Sequence, residues 1–144
     1  MLRAGAPLDA SRAGAILSAF AEDTPWMPRL HSRAEDISFA DDLISRGWVI
    51  VAGRAQQVEA FAACDGQTLQ ALYVAEAARG QGLGSALLLQ VLKGLDSLSL
   101  WTFQATVAAQ AFYEARGFRS VERSDGARND EKLPDIRYLW KRGE

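Results

Sequence analysis

Leu69-Gln70-Ala71-Leu72-Tyr73-Val74, then Ala75-Glu76-Ala77-Ala78, then Arg79-Gly80-Gln81-Gly82-Leu83-Gly84-Ser85-Ala86-Leu87-Leu88-Leu89 form one unbroken stretch. The first six residues read as a short apolar strand bounded on both sides. The next four make a turn. The third segment opens with three glycines at alternate positions and runs into a long apolar helix. The first N–H groups of a helix have no partner in the helix itself, and its dipole adds partial positive charge there. Glycine lets such a backbone approach a ligand closely. The stretch therefore predicts a phosphate or pyrophosphate over Gly80–Ser85.

The whole chain narrows the classes. Its 144 residues fit a single domain spanning 1–144, and 49% hydrophobic with 24% charged residues is the balance of a globular protein. The net charge is −2, and thirteen Arg and three Lys are scattered along the chain, so no nucleic-acid surface is expected. The one cysteine, Cys64, excludes an intramolecular disulfide and a multi-cysteine zinc site, and its place on a strand predicts a core position. No segment approaches the ~18 apolar residues of a membrane span. The N-terminus lacks a charged stretch followed by an apolar one, so a cytoplasmic protein without membrane contact is expected.

Taken in order, Leu2-Arg3-Ala4 reads as a short strand. Asp9 or Ser11 caps a helix to about Ala21, with Ala15, Ile16, Ala19 and Phe20 on its apolar side. Pro25 and Pro28 make the next stretch a loop. It carries Trp26, Met27 and the one histidine, His31. A second helix runs from about Ala34 to Ser45, with Ile37, Ala40, Leu43 and Ile44 inward and Gly47 closing it. Residues 48–52 are dense in β-formers. Gly53-Arg54-Ala55 turns the chain into a strand at 58–64, and Asp65-Gly66 is a hairpin signal into the strand at 69–74. The helix after the glycine turn, residues 84–92, is so apolar that it is expected to be covered on most of its surface. A strand at 97–102 follows Gly94, parallel to 69–74 through a right-handed crossover. Residues 107–116 form a helix with Ala108, Ala111, Phe112 and Ala115 inward. Strands at 118–121 and 136–140 flank a polar loop at 125–134. The order β, α, α, β, β, β, α, β, α, β, β predicts an α+β domain with a mixed, mostly antiparallel sheet of six or seven strands and about four helices.

Three families use a strand, glycine turn and helix for phosphate. A nucleotide-hydrolase P-loop ends in Gly-Lys-Ser/Thr, but Gly84 is followed by Ser85-Ala86. A dinucleotide site needs G-x-G-x-x-G, but Leu87 stands where the third glycine belongs. The third fits. Val74-x4-Arg79-Gly80-Gln81-Gly82-Leu83-Gly84-Ser85-Ala86-Leu87-Leu88 resembles the acetyl-CoA motif of the GNAT acetyltransferase superfamily, in its Arg/Gln-x-x-Gly-x-Gly/Ala form. Thr106-Val107-Ala108-Ala109-Gln110-Ala111-Phe112-Tyr113-Glu114-Ala115-Arg116-Gly117-Phe118 resembles that family's Asn-x-x-Ala-x-x-Phe-Tyr-x-x-x-Gly-Phe segment. The likeness extends from Leu2 to Trp140. The chain departs at Thr106, which keeps a hydroxyl but lacks the amide of the family's usual Asn.

The resemblance implies acetyl-CoA as co-substrate, no metal, and direct transfer of the acetyl group to a primary amine of a small molecule or peptide. A non-catalytic acyl-CoA-binding or sensor module on the same fold is the alternative, and a nucleotide-binding regulatory domain a second. The backbones of Leu72 and Val74, with Tyr73 between them, would pair with the pantetheine arm. Gly80 and the N–H groups of Gln81, Gly82, Leu83, Gly84 and Ser85 would hold the pyrophosphate, with Arg79 as a nearby cation. Thr106, Ala109 and Phe112 would line the coenzyme, Phe112 also serving as packing. The Val74 N–H would hold the oxyanion, and Tyr113 would protonate the leaving thiolate. Glu59, Glu76, His31 or an ordered water chain would take the proton of the amine. On the acceptor side, Trp26 is a candidate apolar wall and His31 and Glu59 candidate polar contacts. Asn129 and Glu131 lie in the acidic C-terminal loop, which would attract a cationic amine. A C-terminal edge strand offers a pairing surface for a homodimer.

Overall fold

In the computed structural model, residues 2–54 and 57–143 are described. Among the described residues there are seven strands, β1 (Leu2–Ala4), β2 (Val49–Arg54), β3 (Gln57–Asp65), β4 (Thr68–Val74), β5 (Ser97–Phe103), β6 (Arg119–Ser124) and β7 (Asp135–Lys141). The four α-helices are α1 (Ala10–Asp23), α2 (Arg33–Ser45), α3 (Leu83–Leu92) and α4 (Val107–Glu114). The strand order is β1-β2-β3-β4-β5-β7-β6. The sheet is mixed and mostly antiparallel, with β4 and β5 parallel at Thr68 and Ser99. The α+β expectation holds, element for element. Gly53 and Arg54, read as a turn, extend β2 instead, and Ala55 lies outside the described residues.

The chain divides into two compact units, Met1–Asp65 with Gln70–Lys93, and Gly66–Leu69 with Gly94–Glu144. In the first, β2 and β3 pair with Val51 opposite Phe61 and Ile50 opposite Ala62. Side chains alternate across a strand, so Val49, Val51, Phe61 and Ala63 share one face. They form a core with Ala13, Ile16, Ala40, Leu43 and Ile44 of α1 and α2. The other face carries Ala52, Ala60 and Ala62, all fully buried. Small side chains there let α3 lie on β2 and β3, burying Leu87, Leu88 and Val91. Only Leu89, at 65%, and Gln90 are exposed on α3, so the helix is covered over most of its surface, as its composition predicts.

Helix α1 presents a different face from the one its alanines suggested. Ala15 and Ala19 are exposed, while Ala10, Ala13, Gly14, Ile16 and Ser18 are buried. The cause is a close helix crossing. A Cβ on Gly14 would stand 2.6 Å from the Cα of Ile37 and 2.8 Å from its backbone N. Asp9 precedes α1 but does not cap it with its side chain. Its carboxylate takes both guanidinium nitrogens of Arg3, at 2.7 and 2.9 Å, and the Ala6 N–H at 2.8 Å. The Arg3 contact holds Asp9 below the usual carboxylate range. Cys64 is half-buried rather than in the core, and burial pushes its thiol up.

In the second unit β7 lies between β5 and β6, with Leu100 opposite Tyr138 and Ser120 also opposite Tyr138. The C-terminal strand is therefore not an edge, as the homodimer expectation required. The edge on that side is β6. The turn of α4 is also corrected. Ala108, Ala111 and Ala115 are exposed, and Tyr113 is the buried residue, with Ala109, Gln110 and Phe112 half-buried.

Gly14→Ala tests the helix crossing. Gly to Ala within a helix ordinarily stabilises by ~1 kcal/mol. Here forced separation of α1 and α2 should cost ~1–3 kcal/mol, and the urea midpoint should fall rather than rise.

Candidate functional site

The strand-to-helix stretch in the first unit is built from its backbone. Ala75 donates its N–H to the Glu59 carbonyl at 2.7 Å, so β4 is still held by β3 at its exit. Successive residues of a strand direct their N–H and C=O groups to opposite sides. Val74 and Leu72 therefore turn theirs away from β3, as pairing with an added extended chain requires. A 3-10 turn at Glu76–Ala78 follows, closed by Ala78 N–H to the Ala75 carbonyl at 2.9 Å. Gly80 and Gly82 then take φ +79° and +84°, a region that side-chain-bearing residues avoid. Nothing lies within 4 Å of where their Cβ atoms would stand. Gly84 lies inside the first turn of α3. The ladder of α3 starts with Ala86 N–H to the Gly82 carbonyl at 3.0 Å, so the amides opening the helix precede it. The open turn, its helix N-terminus and its lack of side-chain obstruction fit a diphosphate.

The side chains of this stretch play other parts. The Tyr73 ring packs into the core against Phe20, at 5.3 Å between centroids, and Phe61, at 5.9 Å. Arg79 is exposed and donates from Nε to the Val74 carbonyl at 3.2 Å. Gln81 is exposed, and Leu72, Leu83 and Ser85 are half-buried. Glu59 is half-buried on β3 and Glu76 exposed.

The loop between α1 and α2 is fastened at its base. Arg29 donates to the Ser18 carbonyl at 2.9 Å, and Ser18 donates to Asp36 at 2.6 Å. Thr24 donates to the Phe20 carbonyl at 2.7 Å. Ser32 and Glu35 form a capping box that starts α2, a Ser-x-x-Glu signal present in the sequence and passed over. The hydrogen bonds from Ser32 hold Glu35 below its ordinary carboxyl value. His31 is exposed, its Nδ1 3.9 Å from Glu35 Oε2, and Trp26 is 37% exposed.

In the second unit, Thr106 stands at the N-cap of α4 but makes no side-chain capping bond. Ala109, Phe112 and Tyr113 follow on the inward face. Tyr113 is buried, its ring 5.1 Å from Phe112, 5.3 Å from Phe118 and 6.5 Å from Tyr138. The Arg116 guanidinium lies 3.8 Å over the Phe112 ring. Two residues missed from the sequence hold α4 in place. Gln110 donates its amide to the carbonyls of Phe103, at 3.2 Å, and Gln104, at 2.8 Å. Tyr138 donates to Glu114 at 2.6 Å. Burial, and then that bond, push the Tyr138 phenol up to about 12. Of the three tyrosines, Tyr138 is thus committed to Glu114 and the Tyr73 ring to the core. The C-terminal loop is folded on itself. Asn129 donates to the Leu133 carbonyl at 2.8 Å and to Asp135 at 3.1 Å, so its amide shapes the loop rather than facing outward. Ser124 donates a hydrogen bond to Asp135. Glu131 is half-buried in the same loop.

The sequence matches the acetyltransferase (GNAT) domain family over residues 44–120. No curated protein matches it by sequence. Among solved structures, apo YjaB from Escherichia coli is similar with a TM-score of 0.79 at 20% identity, over 97% of this chain and 96% of that one. A ribosomal-protein-alanine N-acetyltransferase from Brucella melitensis gives 0.77 at 21% identity, over 98% and 99%. YncA from Salmonella typhimurium, solved with its cofactor acetyl-CoA, gives 0.77 at 16% identity, over 100% and 94%. At these identities the likeness is one of fold.

Burial of the Tyr138 phenol, together with its bond to Glu114, sets an alkaline limit on stability. The unfolded phenol ionises near pH ~10, whereas the folded one waits until about 12. The contribution is complete below pH ~10 and is lost as pH rises through that window, at up to ~1.4 kcal/mol per pH unit. Melting temperatures taken between those two pH values should fall more steeply for the wild type than for Tyr138→Phe.

Proposed function

The chain belongs to the GNAT acetyltransferase family, and from that premise we propose that it moves the acetyl group of acetyl-CoA onto a primary amine of a small molecule or peptide. The observation that carries the reading is the open turn at Gly80 and Gly82, set between the end of β4 and the start of α3. In this reading the amides of the turn hold the diphosphate and the backbones of Leu72 and Val74 meet the pantetheine, within one continuous segment.

The chemistry assigned to the chain's groups is direct transfer. The Val74 N–H stabilises the oxygen of the thioester carbonyl as the neutral amine adds to its carbon. The carbon–sulfur bond then breaks, and Tyr113 gives its phenolic proton to the departing thiolate. A carboxylate takes the proton from the amine, whose pKa of ~10.4 leaves it mostly charged in water. Glu59, whose backbone pairs with Ala75 at the end of β4, is the carboxylate assigned to that step. Trp26, His31, Asn129 and Glu131 are assigned no chemical step. Trp26 and His31, on the fastened loop, remain the proposed acceptor contacts.

The test is incubation with acetyl-CoA and a panel of amines, amino acids and peptides, reading CoA thiol release together with acetylated product. Tyr113→Phe should keep its fold and lose ~10²-fold in turnover, the scale of a general acid. A wild type that binds acetyl-CoA yet releases no thiol with any amine is the non-catalytic sensor module and refutes the transferase reading. Unchanged turnover in Tyr113→Phe removes the tyrosine from the mechanism.

A further inference from the structure

The peptide joining Val74 to Ala75 is held at both ends. Its N–H donates to the Glu59 carbonyl on β3 at 2.7 Å. Its C=O, which points the opposite way across a trans peptide, accepts from Arg79 Nε at 3.2 Å. Arg79 immediately precedes Gly80, so its side chain reaches back from the start of the glycine turn to the end of the strand. A cation serving only to neutralise phosphate has no need of that contact. A guanidinium carries five N–H groups in one rigid plane, and the Nε bond uses one of them. Swinging the 74–75 peptide would change ψ of Val74 and the direction of the strand end. A hydrogen-bond donor aids a developing oxyanion only when its direction is fixed beforehand.

We infer that Arg79 is a positioning residue, whose Nε clamp on the Val74 carbonyl fixes the strand end that presents the Val74 N–H. The inference rests on the acetyl-CoA reading above and deepens it. The arginine then acts on turnover as well as on coenzyme affinity, and the glycine turn and the oxyanion donor are linked through one side chain. Simple charge neutralisation would touch affinity alone.

Arg79→Gln and Arg79→Met separate the two roles. Gln keeps a planar N–H donor without the charge, and Met keeps an apolar stem with neither. The residue is exposed, so both variants should keep the wild-type circular dichroism spectrum. Both should raise KM for acetyl-CoA by ~10-fold, the scale of one charge-assisted hydrogen bond. The kcat should fall by ~10-fold or more in Arg79→Met and by ~3-fold or less in Arg79→Gln, the scale of one lost orienting donor. Independently of activity, amide exchange at Ala75, followed by NMR, should quicken by ~10-fold in Arg79→Met and less in Arg79→Gln. Equal kcat in the two variants, or Ala75 exchange unchanged in Arg79→Met, overturns the clamp while leaving the enzyme reading intact. A wild type that binds no acetyl-CoA overturns the coenzyme reading, and this role with it.

Discussion

Between the end of β4 at Val74 and the start of α3 at Leu83, the chain must stop being a strand, reverse and begin a helix. Two left-handed residues make that possible, and both are glycine. A side chain at either would be strained by the backbone rather than by crowding, since the space around both is open. Moving the turn would displace α3, whose Leu87, Leu88 and Val91 are buried on the alanine face of β2 and β3. The same turn carries Arg79 back to the Val74 carbonyl, so the strand end and the helix start are fixed together.

The rest of each unit serves to make such short segments rigid. In the first, the crossing of α1 and α2 at Gly14 and the Ser18–Asp36–Arg29 contacts hold the loop that carries Trp26 and His31. In the second, α4 is tied at its start by Gln110 and farther along by the Glu114 bond to Tyr138. Tyr113 sits in the aromatic cluster between those two anchors. These are polar anchors with apolar filling.

The sequence displayed the parts of this design that are local. The order of elements, the glycine turn, the Asp65-Gly66 hairpin and the parallel pairing of β4 with β5 depend on short-range chemistry and chain-crossover rules, and all are present. What it concealed depends on distant partners. Ala15, Ala19, Ala108, Ala111 and Ala115 were assigned inward and are exposed, because alanine contributes too little burial energy to fix a helix face. Gly14 against Ile37, and Gln110 against the end of β5, fix those faces instead. The insertion of β7 between β5 and β6 is a long-range register that no spacing announces. The bonds of Asn129 to Leu133 and Asp135, which brace the C-terminal loop, depend likewise on partners that no local pattern announces.

Titration of the isotope-labelled protein with acetyl-CoA, followed by amide NMR, bears most directly on the central claim. The largest shifts should fall at the amides of Gln81 to Ser85 and at Leu72 and Val74. Binding with shifts confined to other parts of the chain, or no binding at millimolar acetyl-CoA, would contradict it.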